Sequence, residues 1–381
     1  MIRMLRDLVG RFLGERYDFD ARRAVVNGEV GWSPVIWAEM AALGILAAPF
    51  TEEHGGLGGG GEAMMVLMEG FGRALLVEPF VSTSVMGSVL FTQPGGSDSD
   101  SDRLDAIASG AMRLALAHDE LASAHGEQSE IQTRAEATDQ GYTLSGRKIV
   151  VRDAPSATHL VVSAKSRGEP PERMLFLVPI DADGLILDPY RLIDGGLAAD
   201  IVLDDVSLPS SALLCSGPRT LPLVSRLLDE ATVAVCAEGL GVMRVMLEQT
   251  VAYTGQREQF GRPLSGFQVP QHRFVDMYIE IEQAHSLTLR AAMARDDPLA
   301  VSAAKIRVNQ ALRTVSHGAL QLHGGIGTTE ELSLGHYFRR ATTIERQYGT
   351  SAQHYRRIEE ALVAEFAASA PMQSFRQAPT R

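Results

Sequence analysis

The sequence predicts an α+β protein, mainly α, with a helical domain at each end and a β-domain between them. Three observations carry that reading. At 381 residues the chain exceeds one ordinary core, since domains average about 150 residues. Apolar residues recur with a helical period up to Phe91 and again over residues 221–366. Between these regions the period shortens to alternating or short apolar runs bounded by turn residues. The boundaries follow as residues 1–112, 113–220 and 221–381.

Near the N-terminus Leu5, Leu8, Val9, Phe12 and Leu13 share one helical face, and residues 35–46 and 64–76 repeat the pattern. Between them lies HGGLGGGGE, residues 54–62. Its glycines suit a phosphate cradle, but no Lys-Ser/Thr follows and no buried strand precedes it. It reads instead as an interhelical turn with a glycine C-cap. QPGGSDSDSD, residues 93–102, is polar and Gly- and Ser-rich, and reads as a loop or disordered link. The runs RLALAHDE, YTLSGRKIVV, HLVVSAK, MLFLVPI, LILDPYRLI and AADIVLDDVSL then place a compact β-domain at about residues 113–214. Residues 221–253, 268–294 and 299–321 are long helical segments, apolar on one face, and are expected to pack as a bundle. The tail after Phe366 reads as disordered.

Subtracting 47 acidic from 35 basic residues leaves a net charge of -12, a field that repels phosphate backbones and anionic membranes. General nucleic-acid binding is excluded, although a few positioned arginines could hold a small anion. Cys215 and Cys236 lie in apolar surroundings without metal-ligand spacing, and read as buried small hydrophobes in a reducing compartment. His118, His125, His272, His323 and His336 are too scattered to make a metal site, and no metal is assigned. The N-terminal residues alternate charged and apolar positions and hold no signal-peptide core. No apolar run reaches the roughly 18 residues a membrane span needs, so a cytoplasmic protein is expected.

Two motifs carry chemistry. REQFGRPLSGFQ spans residues 257–268, followed by HRFVDM at 272–277, and QLHGGIG spans residues 321–327. Arg257 offers a planar fork for a phosphate, Phe260 an aromatic surface, and Gly324 with Gly325 a backbone that a ligand can approach closely. Gln268 and Gln321 supply uncharged donors and acceptors. In this order, and within a helical–β–helical chain, these motifs resemble those of the acyl-CoA dehydrogenase family, flavoproteins that desaturate acyl-CoA thioesters between the α and β carbons. The resemblance covers nearly the whole chain. It implies an acyl-CoA dehydrogenase fold, with an N-terminal helical domain, a central β-barrel-like domain and a C-terminal four-helix bundle that forms the oligomer interface. It also implies FAD held across a subunit interface by Arg257, Phe260, Gln268, Gln321, Gly324 and Gly325, an acyl-CoA substrate, and an electron-transferring flavoprotein as acceptor. Arg339, Arg340 and Arg346 form a basic patch that the resemblance sets near that interface, if they are not merely surface salt bridges.

The catalytic side departs from the family. Its base is a glutamate ahead of a Gly-Thr pair, and here that position is Tyr348, a neutral phenol with an ordinary pKa of about 10 and so a poor base. The alternative family position, counted back from Arg257, falls on Ala231. Asp229 and Glu230 stand beside it as weak candidates, each turned by about 100° per residue around a helix. The flavin-ring segments are altered too. HDELASAH, residues 118–125, replaces the usual turn, and Val150 and Arg152 replace an aromatic and a hydroxyl residue. The losses fall on one side: contacts made to a neighbour's FAD remain, and those for the chain's own flavin ring and proton abstraction are gone. The expected role is therefore the non-base subunit of a heteromeric α2β2 enzyme. Residues 15–23 and 323–340 also resemble the small subunits of the pimeloyl-CoA dehydrogenase type. Two alternatives stay open: a self-sufficient homotetramer using Glu230 or Asp229, and a flavin-free structural or regulatory protein on the same fold.

Overall fold

A computed structural model describes residues 2–58, 61–93, 98–121 and 131–369. Helix α1 (Ile2–Arg16) buries Val9, Phe12 and Leu13, the face its spacing predicts. Asp18 caps α2 (Phe19–Asn27), accepting from Ala21 N at 2.8 Å. Ser33 caps α3 (Pro34–Ala42), whose first residue is proline. The glycine-rich stretch does close a helical turn: Gly55 is left-handed (φ 77°) at the end of a 3₁₀ turn, Glu52–His54. Residues 59–60 lie outside the described residues. Helix α4 (Gly61–Ala74) follows, then a π-helical segment (Val81–Val85), α5 (Met86–Phe91) and α6 (Asp98–Ala108).

Helix α6 corrects the loop expected at residues 93–102. Its first turns carry Asp100 and Asp102, where carboxylates are favoured by the N-terminal backbone dipoles. Leu104 and Ile107 then anchor it at 1% and 0% exposure. Residues 94–97 of that stretch lie outside the described residues.

The β-domain comprises β1 (Leu114–Ala117), β2 (Arg134–Thr138), β3 (Gly141–Arg152), β4 (His159–Ser166), β5 (Arg173–Pro179), β6 (Leu185–Arg191), β7 (Leu197–Pro209) and β8 (Leu213–Ser216). They form one eight-stranded sheet in the order β6-β7-β3-β2-β4-β5-β8, with β1 parallel to β4. Strand β2 also pairs with β4 in parallel, further along it, so β1 and β2 share one side of that strand. Strands β2 and β8 escape a period-based reading because one is largely exposed and the other is four residues long. Cys215 is half-buried in β8, a correction to the expectation that both cysteines are sealed; Cys236 is fully buried.

The last region holds α7 (Thr220–Gln256), a two-residue hairpin of β9 (Glu258–Gln259) and β10 (Arg262–Pro263), α8 (Gln268–Met293), α9 (Pro298–His323), α10 (Leu334–Ile344) and α11 (Ser351–Ser369). The tail thus stays helical to Ser369, three residues past the expected end, and residues 370–381 lie outside the described residues.

The two helical regions share one hydrophobic core, in which Val9, Met40 and Phe71 join Leu240, Val308 and Ala341. Helices α4 and α7 touch backbone to backbone. A Cβ on Gly72 would lie 2.0 Å from the Glu238 carbonyl oxygen, and one on Gly241 2.0 Å from that of Glu69. A further cluster joins Phe50, Leu114, Leu175, Leu227 and Ala231, and packs Tyr348 against the seam between all three regions.

Candidate active site and cofactor face

The sequence-predicted cofactor residues lie on an outer face of the helical region. Tyr253 on the last turns of α7 stacks on His323 at the end of α9, ring centroids 4.4 Å apart and 19° from parallel. That stack brings the Arg257 segment beside the Gly324–Gly325 segment. The β9–β10 hairpin then turns through Phe260 (φ 55°) and Gly261 (φ 77°). A left-handed phenylalanine is strained, and the turn leaves its ring 90% exposed. Behind it Phe267 lies edge-on at 6.2 Å, with Arg262 stacked 3.9 Å over Phe267. The chain thus fixes an apolar ring at the tip of a braced hairpin, pointing away from its own core.

Gln268 opens α8 and is exposed, as are Arg257, Gln321, Gly324 and Gly325. A Cβ at either glycine would meet nothing within 4 Å, so the backbone here is open to an incoming group. The donor set suits a dinucleotide: a guanidinium for phosphate, two amides and an aromatic face. It is one wall only, because nothing of the described chain stands over it. Val269, Val275, Tyr278 and Ile279 continue the exposed apolar surface along α8.

The inner site differs. Tyr348 has a left-handed backbone (φ 56°), and its carbonyl accepts from His354 Nε2 at 3.1 Å while Ser302 Oγ donates to His354 Nδ1 at 3.2 Å. Burial keeps His354 neutral, its pKa lowered to about 4. Gly349 is required next, since a Cβ there would lie 2.7 Å from His354 Nε2. Helix α10 is stopped just upstream by Lys305 and Asn309 of α9, which donate to the Ile344 and Glu345 carbonyls. The Tyr348 phenol is pushed up to about 12, first by burial and then by Asp153. It holds its proton at any working pH. Ala231, the alternative base position, is fully buried in the cluster that Tyr348 packs against.

Asp229 and Glu230 are committed elsewhere. Asp229 takes a two-pronged pair from Arg357 at 2.5 and 2.7 Å, and Glu230 one from Arg295 at 2.7 Å. Glu230 lines a separate cavity of about 20 Å³ with Met64, Val85 and Ser88, room for about one water.

A buried ion network, not readable from motif positions, fills the junction of the three regions. Arg340 of α10 donates to both Glu238 oxygens at 2.6 Å and to Asp194 Oδ2 at 2.7 Å. Arg152 adds a pair to Asp194 at 3.4 Å. Arg22 of α2 donates to the carbonyls of Asp194 (2.8 Å) and Leu75 (2.9 Å), and to His336 Nδ1 at 3.2 Å. Burial alone would raise the Asp194 carboxyl, but Arg152 and Arg340 hold it well below its ordinary value. Arg340 therefore belongs to the interior, not to a surface basic patch; Arg339 pairs with Glu330, and Arg346 is exposed. Glu238 was discoverable as a lone acid in an apolar helical run, whereas nothing local marks Asp194 or Arg22.

Asp153, left-handed at φ 64°, accepts from Ser82 Oγ at 2.7 Å, and burial raises its pKa. Arg22, Arg152, Asp153, Asp194, Glu238 and Arg340 line a cavity of about 50 Å³. Small-molecule sites occupy roughly 300–1,000 Å³, so a flavin ring or a thioester does not fit there as it stands.

In the β-domain, Lys148 donates to Glu120 (2.7 Å) and Ser163 (3.0 Å), and Ser163 also meets His118 Nδ1 at 2.9 Å. Serine, lysine and histidine in reach of one another suggest a nucleophile, but Ser163 and Lys148 are 0% exposed. Glu120 also accepts from Gln132 N, Thr133 N and Thr133 Oγ1, so the group is a clasp that ties Glu120 to residues 132 and 133. Residues 122–130, including His125 and the second half of the expected flavin-ring turn, lie outside the described residues. Val150 (φ 50°) is 47% exposed. Among the described residues, no cluster of three or more His, Cys, Asp or Glu could hold a metal, and no helix is long and apolar enough to cross a membrane.

Two helical regions around a β-domain, with an open face on the bundle and a seam between helices and sheet, are the features expected of a flavoprotein dehydrogenase of acyl thioesters. Residues 2–111 match the acyl-CoA dehydrogenase N-terminal domain and residues 221–363 the acyl-CoA dehydrogenase C-terminal domain. The chain belongs to the acyl-CoA dehydrogenase family, FAD-dependent oxidoreductases that act on the CH–CH bond of acyl-CoA. It is 28% identical over 360 residues to the probable acyl-CoA dehydrogenase YngJ of Bacillus subtilis, covering 91% of this chain and 94% of that one. It is 29% identical over 329 residues to the mitochondrial short-chain specific acyl-CoA dehydrogenase of Homo sapiens, covering 82% and 78%. Among solved structures, the Tcur3481–Tcur3483 steroid ACAD superposes with a TM-score of 0.85 at 32% identity, over 97% of this chain and 99% of that one.

Proposed function

We propose that this chain is the non-base subunit of a heteromeric, α2β2 FAD-dependent acyl-CoA dehydrogenase, of the kind represented by pimeloyl-CoA dehydrogenase small subunits. Its task is to complete the cofactor site of a homologous, catalytically competent partner in the cytoplasm, with electrons leaving to an electron-transferring flavoprotein. The observation that carries this reading is an asymmetry. Arg257, Phe260, Gln268, Gln321, Gly324 and Gly325 present an open wall outward, while the position of the base holds Tyr348 and the neighbouring seam is filled by the Arg340–Asp194–Glu238 network. A solved relative named by two components, Tcur3481–Tcur3483, is in keeping with a two-chain assembly.

FAD, when bound, supplies the hydride acceptor for the desaturation. This chain's residues would bind and orient it: Arg257 against phosphate, the two glutamines against polar groups, Phe260 as an apolar cover that excludes water. Arg257→Ala should deplete FAD from the purified complex without unfolding it, because Arg257 is exposed. Tyr348→Phe should leave turnover of the complex nearly unchanged. A large rate loss in the second variant, with flavin content intact, would place proton chemistry on this chain and refute the reading.

A further inference from the structure

The cofactor face is built on two helix ends, and one ring contact joins them. Helix α7 fully buries no apolar side chain beyond Met246, and α9 none beyond Ala319. Thr250 and Thr254, buried in the last turns of α7, spend their hydroxyls on their own helix, donating to the Met246 and Thr250 carbonyls at 2.6 and 2.7 Å. The shared core has therefore ended where the stack of Tyr253 on His323 begins. His323 is 5% exposed, and its ring is held in one orientation because Nδ1 donates to the Ala319 carbonyl at 2.9 Å.

Each ring stands beside one of the two segments. The Tyr253 carbonyl accepts from Arg257 N at 2.9 Å, and the Arg257 carbonyl accepts from Leu264 N at 2.9 Å, which ties the hairpin to the end of α7. On the other side Gly324 leaves α9 with φ 66°, a conformation that favours glycine. The turn Gly324–Thr328 then folds back on His323, where a Cβ on Gly327 would lie 3.0 Å from the His323 Cβ. A displacement of either ring is thus passed to Arg257 or to Gly324 and Gly325. We propose that Tyr253 and His323 are positioning residues, whose stack holds the Arg257 and Gly324–Gly325 segments at the spacing one ligand needs to engage both. The identity of that ligand as FAD rests on the subunit reading; the coupling between the segments does not.

Hydrogen–deuterium exchange of the full chain, read by mass spectrometry, tests the coupling without flavin. Tyr253→Leu should speed exchange across the contact, in residues 321–328, and His323→Leu should do so in residues 257–267. Tyr253→Phe, which keeps the ring, should do neither, and residues 233–246 and 304–315 should exchange as in wild type in all three variants. FAD titration of the complex with a homologous partner subunit supplies a second readout. Both leucine variants should weaken FAD binding about two- to tenfold, the whole worth of one aromatic stack, and Tyr253→Phe should bind as wild type does. Exchange that quickens only on the mutated side or throughout the core, unchanged FAD affinity in both leucine variants, or an equal loss in Tyr253→Phe and Tyr253→Leu would each overturn the proposal. A wild-type complex that binds no FAD would refute the subunit reading instead, and the exchange result would still decide the coupling.

Discussion

Glu78 shows how a single side chain can set a pH response. Burial lifts its carboxyl from an ordinary 4.5 to about 7, more than the bonds from Ser33 N and Tyr17 lower it. Because the folded pKa lies above the unfolded one, its contribution to stability is complete below pH 4.5 and is lost as pH rises through about 7. Wild type should therefore lose on the order of 2 kcal/mol between pH 5 and pH 8 from this group alone. Glu78→Gln should flatten that slope, so denaturant midpoints compared at the two pH values check it. Parallel wild-type and variant profiles would show that Glu78 ionises freely. The sequence offered little warning of this, since GluPro in a turn reads as a solvated acid. The two motifs stand out in the sequence by residue type, and the fold leaves all six residues expected to hold the cofactor exposed. Tyr348 and Ala231 were likewise found by position, and they meet in one cluster. Asp194, Arg22 and Glu238 were not, because their pairing spans three regions that only the folded chain brings together.

Helices were the easiest elements to read, since α7, α8 and α9 each carry an apolar stripe long enough to fix their ends within a few residues. Elements stabilised by something other than an apolar stripe were missed: α6 begins with Ser and Asp, and β2 is held by pairing to β3 and β4 with much of its surface exposed. Close approach of α4 to α7 was hidden as well, although Gly72 and Gly241 are its cause. Gly72→Ala should drive a methyl into the Glu238 carbonyl, contact at 2.0 Å that only a shift of the helix pair can relieve. Overpacking of this kind costs about 1–3 kcal/mol. A thermal midpoint lowered by about 1–4 °C is expected in a scan of the chain. An unchanged midpoint would mean that the two helices slide apart freely. Gly255→Ala is the matched control, since a Cβ there meets nothing within 4 Å.

Across the molecule, the ion network and the shared core make one body of three sequence regions. Arg340 is the joint: it ties α10 to α7 through Glu238 and to the β-domain through Asp194, and Asp194 receives Arg22 from the N-terminal region. Its removal leaves the buried Glu238 without its partner and Asp194 with only the 3.4 Å pair to Arg152, a loss of about 3–5 kcal/mol. Arg340→Met should lower the melting temperature by about 5 °C, and a drop of less than a degree would show the network to be incidental. Asp194, held below its ordinary pKa by Arg152 and Arg340, adds stability that is present above its unfolded pKa and is lost as pH falls through the folded one. Acid should therefore loosen the domain junction first, which denaturant midpoints measured at falling pH would show.

The outward wall and the filled seam together make one claim, that this chain completes a flavin site it does not itself house. The visible spectrum tests it most directly, taken on the chain purified alone and again after co-expression with a homologous acyl-CoA dehydrogenase subunit. The account predicts a colourless chain that becomes yellow only with its partner, at about half a flavin per polypeptide in a symmetric two-chain assembly. A lone chain that is fully yellow and bleaches with acyl-CoA would contradict it, and would mean that the seam around Arg340 opens to hold both flavin and substrate.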